Sequence, residues 1–375
     1  MKTIGVLGAG QLGRMMGLAG IPLDCRFRFL DPVENSPAKV VGEQLVGPFS
    51  QGTHLDQFSS GLDVLTYEFE NVPVELARHM AGRLPVYPPP QALEFSQDRL
   101  IEKQLFQRLG IQPAPFHALQ NLSDLEQVIK AFGFPFIIKT RRMGYDGKGQ
   151  FLVKSESDAK QAWQDGLGHD LIAEGFVRFQ RECSLIAVRS KDARTAFYPL
   201  VQNFHHQGIL RLSLVPSQKL TGELQAQAVG YVAKILQELD YTGVLAVEFF
   251  VADNKLIANE MAPRVHNSGH WTMDGAETSQ FENHIRAITG LPLGATNAIG
   301  ASAMINLIGT VPDVHRMLKI PGSHLHLYGK EPREGRKLGH LNIRADSSDK
   351  LIELLQECKD LMPAETFQQF QQTCC

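Results

Sequence analysis

Two glutamates stand out because of what surrounds them. In VLAVEFFVADNKLIANEMAPR, Glu248 and Glu260 each sit near the far end of an apolar run, on either side of the turn Asp253-Asn254. A carboxylate on an apolar strand is costly unless a cation accompanies it. Side chains alternate across a strand, so a strict two-residue loop sends the two glutamates to opposite faces. A three-residue loop from Ala252 to Asn254 instead pairs Val251 with Lys255 and Glu248 with Ala258. Glu260 is then the diagonal neighbour on the same face, at about 7–8 Å between backbones. Carboxylates converging at that distance suit a hard divalent cation, Mg²⁺, shared with nucleotide phosphates.

A second chemical pattern is FPFIIKTRRMGYDGKGQFLV, where an apolar strand ends at Lys139 and passes through Gly144, Gly147, Lys148 and Gly149 into another strand. It lacks the G-x-x-x-x-G-K-[ST] of a Walker A loop. It reads as a hairpin whose backbone N–H groups fold over phosphates while lysines supply point charge. Seen alone, it is equally an exposed basic hairpin. Between these patterns, DLIAEGFVRFQRECS reads as a strand, Leu171 to Ala173, running into Glu174, Gly175, Phe176 and Val177, with Glu182 beyond. Such a strand-to-linker segment can pair its backbone with an adenine edge while a carboxylate takes ribose hydroxyls. The chain also opens on GAGQLG, Gly8 to Gly13, with Asp31 falling where a Rossmann fingerprint places its acidic residue, about twenty residues on. Two readings stand for it. One is an NAD or FAD site; the other is a tight strand-to-helix turn whose helix N-terminus attracts another anion.

The elements that must carry these residues fall into three stretches. Residues 1–95 alternate strands and helices, the sign of a parallel sheet: Thr3 to Leu7, Gln11 to Ala19, Cys25 to Leu30, Asp63 to Tyr67 and Pro73 to Met80. Pro85 to Pro90 reads as a linker. Residues 96–298 begin with an amphipathic helix, Asp98 to Leu109, and continue as a mixed α+β segment with a glycine-loop lobe at about 115–178. Residues 299–375 form a small β-rich domain with a helix near Lys350 to Glu357. The chain's 375 residues exceed what one ordinary core serves, which agrees with several domains.

A net charge of -3 argues against a nucleic-acid partner. No apolar stretch is long enough to span a membrane, and Met1-Lys2-Thr3 runs directly into a strand, so no signal peptide is expected. The cysteines Cys25, Cys183, Cys358, Cys374 and Cys375 show no framework spacing, which fits a reducing cytoplasm.

Taken in order, Lys139, the loop Gly144 to Gln150, the segment Glu174 to Val177, Glu182, Glu248 and Asn259-Glu260 resemble the ATP-grasp superfamily. The resemblance implies ATP held between two α+β lobes, an acid activated as an acyl phosphate, and an amine that captures it. It also implies a Rossmann-like (pre-ATP-grasp) N-terminal domain that serves the acceptor substrate. Longer strings, GAGQLGRMM, TYEFENVP, QDRLIEKQ, RRMGYDGKGQ, APRVHNSGHWT and GRKLGHLN, are similar to the 5-(carboxyamino)imidazole ribonucleotide synthase family over essentially the whole chain. That implies ATP-dependent carboxylation of 5-aminoimidazole ribonucleotide by bicarbonate, through carboxyphosphate, in a cytoplasmic homodimer of the purine pathway.

The same resemblance distributes the residues. Arg99, Lys139, Gly144, Tyr145, Asp146, Gly147, Lys148, Gly149, Gln150, Glu174, Gly175, Phe176, Val177, Glu182, His205, Asn259 and Glu260 are expected around ATP, with Glu248 and Glu260 on Mg²⁺. Arg264, His266 and Lys337 are expected to act in catalysis: the Arg264 fork on bicarbonate or carboxyphosphate, His266 orienting the intermediate or managing the amine proton. Gln11, Leu12, Glu68 and Asn267 are expected near the ribonucleotide, and Arg336 with Lys337 on its phosphate, leaving Lys330 and Arg333 as solvated neighbours. The anion facing GAGQLG is then expected to be the ribonucleotide's.

Overall fold

The apolar runs at the front of the chain pair in parallel in the computed structural model, which describes residues 1–50, 52–144, 149–166, 170–217 and 219–374. Lys2–Leu7 lies between Cys25–Asp31 and Val64–Tyr67, and Glu43–Val46 forms the outer edge. The helix Gln11–Gly20 starts directly after the glycine turn. Glu43–Val46 has no fully buried residue, so it carries no apolar pattern for sequence reading to find. The expected linker is more ordered than predicted. Val86 bridges Leu65 in parallel, and Pro90 opens the helix Pro90–Ser96, where a missing N–H costs nothing.

The glycine-loop lobe is a four-stranded sheet in the order Phe116–Leu119, Leu171–Gly175, Phe136–Thr140, Gln150–Val153. Helices Leu122–Phe132 and Glu156–Asp165 cover it, the first fixed by a capping box between Asn121 and Asp124. Tyr145, Asp146, Gly147 and Lys148 lie outside the described residues.

The large sheet, nine-stranded among the described residues, runs from Lys255–Ala262 through Gly243–Ala252, Arg181–Arg189, Val201–His206 and Ile209–Val215. Ala301–Ile308, Lys337–Ala345 and Ser323–Leu327 then extend the same sheet, so the C-terminal strands share it instead of building their own. Alternation along the strands gives its two faces different jobs. Cys183, Leu185, Val247 and Phe249 are buried in one core with Leu224, Val232 and Ile235 of the helix Gly222–Glu238. Glu182, Ser184, Asn203, Ser213, Glu248 and Glu260 share the other face, as their register partners require.

The hairpin that carries Glu248 and Glu260 corrects the expected register. Its turn has two residues, Asp253 and Asn254, both left-handed at φ 49° and 56°, as a type I′ turn requires. Ala252 pairs with Lys255 and Val251 with Leu256, which alone would put Glu260 opposite Val247 and on the wrong face. A bulge between Glu248 and Phe249 intervenes: Phe249 faces Ala258 and Glu248 faces Glu260, with Asn259 as the additional residue. The carboxylates are therefore direct cross-strand partners. Convergence was predicted correctly, from the wrong loop.

Because this turn sets the register, a β-branched side chain there should be felt. Asn254→Val is expected to cost about 1–2 kcal/mol, the penalty of a left-handed non-glycine residue, whereas Asn254→Gly should not destabilise. Urea denaturation of both variants checks this; equal stabilities would remove the turn from its role.

Candidate active site

Two cavities of about 410 and 400 Å³ open beside the polar face of the large sheet. They meet at Arg99, Glu248, Glu260, His266, Asn267 and Lys337, which line both. The first also takes Gln11, Leu12, Glu68, Gly144 and Arg264, and so lies against the N-terminal domain. The second takes Lys139, Gln150, Glu174, Gly175, Phe176, Val177, Glu182, His205 and Asn259, between the glycine-loop lobe and the sheet. Residues scattered over the sequence are thus gathered as two adjoining chambers. Gly149 and Arg336 line neither.

Charge in the second cavity is largely paired. Lys139 Nζ lies 2.8 Å from Glu174 Oε2, and Lys103 Nζ 3.3 Å from Glu174 Oε1, all three side chains almost fully buried. Burial opposes the Glu174 charge, but the two ammonium groups outweigh it and hold the carboxyl at about 2. Glu182 bonds His205 Nδ1 at 2.9 Å. Burial works against the imidazolium, yet this contact and the nearby Glu248 and Glu260 push His205 up to about 9.

At the junction, Arg99 donates to Glu260 at 3.0 Å. Burial again opposes the charge; Arg99, Lys139 and Lys103 keep Glu260 below its ordinary value. Among the described residues Glu248 has no such close arginine or lysine, only His266 Nε2 at 3.8 Å, and burial together with Glu260 raises it to about 7. Oxygen donors pressed together in this way suit a hard cation. Among the described residues no group of three or more His, Cys, Asp or Glu is placed to hold a metal.

Beside the first cavity, two expectations are corrected. The anion at GAGQLG is internal: Glu68 accepts from the backbone N–H of Gly10 through Oε1, and from Gly13 at 2.5 Å through Oε2. A Cβ at Gly10 would come within 2.6 Å of that carboxylate, which is why glycine stands there. Asp31 accepts from Ala9 N–H at 2.8 Å. Both features that suggested a dinucleotide, and afterwards a ribonucleotide's anion, serve to pin the loop. Lys330 is no solvated neighbour either. It donates to Gln11 Oε1, and burial lowers it to about 8 against the pull of Glu68. Arg336 folds back onto its own turn, donating to the Glu331 carbonyl at 3.1 Å.

Arg264 forms a 2.6 Å ion pair with Glu70. His266 presents Nε2 3.8 Å from Glu248 while Nδ1 contacts Ser268. Burial, with Arg264 and Lys337 nearby, keeps its ring well below the usual imidazole range. Neither side-chain polar atom of Asn267, buried where the cavities meet, has a hydrogen-bond partner among the described residues. An orphaned buried amide of this kind points to a ligand.

Sequence reasoning missed Glu70, Glu102 and Lys103. All three lie within strings already singled out, TYEFENVP and QDRLIEKQ. Glu102 is raised to about 8 by burial and by Glu260, and accepts Met261 N–H at 2.7 Å. A signal was present, but an amphipathic helix gives no reason to expect buried charge on it.

Models of three protein families match the chain: the ribonucleotide synthetase preATP-grasp domain over residues 1–97, the ATP-grasp domain over 104–281, and the phosphoribosylaminoimidazole carboxylase C-terminal domain over 302–354. N5-carboxyaminoimidazole ribonucleotide synthase of Pseudomonas aeruginosa is 47% identical over 361 residues, 96% of this chain and 99% of that protein. The crystal structure of N5-carboxyaminoimidazole ribonucleotide synthetase from Thermus thermophilus superposes with a TM-score of 0.92 at 53% identity, covering 96% of this chain and 98% of that one. The enzyme from Aspergillus clavatus, solved with ADP and 5-aminoimidazole ribonucleotide, gives 0.88 at 30% identity over 96% and 98%.

The ion triad yields a stability prediction with a defined sign. Glu174→Gln leaves two buried ammonium groups without their counter-charge and should cost about 3–5 kcal/mol at pH 7. The folded carboxyl lies at about 2 against an ordinary 4.5. Its contribution is therefore complete above 4.5 and lost as pH falls from there toward 2. The gap between wild type and variant in urea melts should narrow over that window; a gap independent of pH would contradict the pairing.

Proposed function

The chain belongs to the N5-carboxyaminoimidazole ribonucleotide synthase family, and from that premise we propose how its two cavities divide the reaction. It is an ATP-grasp ligase that carboxylates 5-aminoimidazole ribonucleotide with consumption of ATP, a step of purine biosynthesis. In our reading ATP occupies the cavity lined by Lys139, Glu174 to Val177, Glu182 and His205, and the ribonucleotide occupies the one against Gln11 and Leu12. The observation that carries this division is the shared junction, where one carboxylate pair borders both chambers.

Bicarbonate is the proposed carbon source. It is a poor electrophile, and phosphorylation gives its carbon a leaving group before the amine arrives. Glu248 and Glu260 would hold Mg²⁺, which when bound neutralises charge on the phosphates. Lys139 and Arg99 bring fixed positive charge to the nucleotide cavity, where exclusion of water strengthens it. Arg264 is held by Glu70 with its guanidinium at the acceptor chamber, placed to receive a planar anion. Lys337 borders both chambers. Lys330, beside Gln11, is a half-buried cation available to the substrate's phosphate alongside the expected Arg336 and Lys337. The loop residues Tyr145, Asp146, Gly147 and Lys148 keep their expected places around ATP on resemblance alone.

A homodimer and a cytoplasmic location belong to the same reading. Buried, unpaired Cys25, Cys183 and Cys358 are in keeping with a reducing compartment, and among the described residues no helix is long and apolar enough to cross a membrane. The three matched segments support functional divisions at 1–95, 96–298 and 299–375.

ADP release with 5-aminoimidazole ribonucleotide, measured with and without bicarbonate, tests the proposal: both should be required for full turnover. An enzyme indifferent to bicarbonate would refute the carbon source. Glu260→Gln should lower turnover by about 10²–10⁴-fold, several kcal/mol of lost charge stabilisation, with an unchanged circular dichroism spectrum. Retained turnover would remove Glu260 from the metal.

A further inference from the structure

His266 immediately precedes the short turn Asn267–Gly269 and caps it with its side chain. Its Nδ1 receives the backbone N–H of Ser268 at 3.3 Å. A backbone N–H can only donate, so Nδ1 is an acceptor. The Ser268 hydroxyl, 2.9 Å from the same atom, must then point its hydrogen at the ring. Its oxygen is left to accept, and Ser184 Oγ lies 2.7 Å away as the donor.

The polarity continues across the sheet. Asn203 Nδ2 donates to Ser184 Oγ at 2.9 Å, and Ser213 Oγ donates to Asn203 Oδ1 at 2.8 Å. Ser184, Ser213 and Ser268 are fully buried and Asn203 is 4% exposed. Every link donates toward His266. Reversing any one would set two donors or two acceptors against each other in a dry interior, at the cost of an unsatisfied buried group. Ser213, Asn203 and Ser184 lie on three neighbouring strands, on the face of the sheet that also carries Glu182, Glu248 and Glu260.

We propose that His266 serves the carboxylation as a hydrogen-bond donor at Nε2, its tautomer fixed by the buried relay Ser213–Asn203–Ser184–Ser268. The inference rests on the junction being where carboxyl transfer occurs. Nε2 faces that junction, 3.8 Å from Glu248. During transfer the amine nitrogen bonds to the carboxyl carbon, charge builds on the carboxyl oxygen, and the C–O bond to phosphate then breaks. The electron pair leaves with phosphate, whose basic oxygens take the amine proton. An Nε2–H aimed at the carboxyl oxygen stabilises that charge, and no base is required of His266. The relay residues are positioning residues, acting only through the ring.

The test begins with the resting enzyme labelled with [¹⁵N]histidine, His266 being assigned by its absence from His266→Gln. Long-range ¹H–¹⁵N spectra should show a protonated Nε2 and a pyridine-type Nδ1; a protonated Nδ1 overturns the proposal whatever the activity. That measurement needs no substrate, so it stands or falls separately from the reading of the function. In turnover, His266→Leu should lose about 10²–10³ in kcat, as when a preorganised donor is removed. His266→Gln, which offers an amide N–H in a similar place, should recover at least about tenfold of it; equal losses would point to proton transfer and overturn a donor role. Ser184→Ala should mix the two tautomer signals and lower kcat with KM for ATP unchanged, and Ser184→Thr should restore both. An unaltered spectrum in Ser184→Ala would overturn the relay.

Discussion

Carboxylates buried between a sheet and a neighbouring lobe ionise only if cations come with them, and that requirement organises this molecule. Glu174, Glu248 and Glu260 all border the second cavity, where Arg99, Lys103 and Lys139 answer Glu174 and Glu260 from a helix and from the neighbouring lobe, while Glu248 is left raised. The arrangement depends on the bulge at Asn259. An edge strand that slips by one residue leaves backbone groups unpaired, and here the segment leading into the glycine-loop lobe takes them. Glu102 accepts Met261 N–H, Lys103 donates to the Asn259 carbonyl at 3.4 Å, and the Gln112 carbonyl accepts Ala258 N–H at 2.8 Å. The same helix that supplies charge to the site thus secures the register that makes the site.

The glycine turn at the front shows the complementary solution. A helix N-terminus favours an anion, and this chain provides its own in Glu68. With both carboxylate oxygens committed to the loop, the turn becomes part of the wall of the first cavity, beside Gln11 and the Lys330 that donates to it. A dinucleotide fingerprint and a substrate platform therefore share one spacing, because glycine meets the same need in each: close approach of an anion to backbone N–H groups.

Much of this was legible in the sequence, for reasons that differ by residue. Strands such as GVLAVEFFV announce themselves through apolar runs, and Lys139, Glu248 and Glu260 through charge at their ends. Long strings such as APRVHNSGHWT carried the family and most of both chambers. The hairpin register was not legible, because loop length and a bulge shift parity equally and only the latter is present. Lys103 and Glu102 carried no local signal, since their burial is imposed by a partner strand more than 150 residues away, as the separation of 159 for Glu102 and Met261 illustrates. The inward pull on Lys330 came from tertiary packing of one short loop against Gln11, which no local pattern encodes.

The central claim is that ATP and the ribonucleotide occupy adjoining chambers and that bicarbonate, phosphorylated where they meet, passes between them. Turnover with [¹⁸O]bicarbonate tests this most directly. Transfer of the γ-phosphoryl group to a bicarbonate oxygen leaves that oxygen on phosphate when the amine takes the carboxyl group. Mass spectrometry of the released phosphate should show one ¹⁸O per molecule. Phosphate free of label, with carboxylated product still formed, would contradict it.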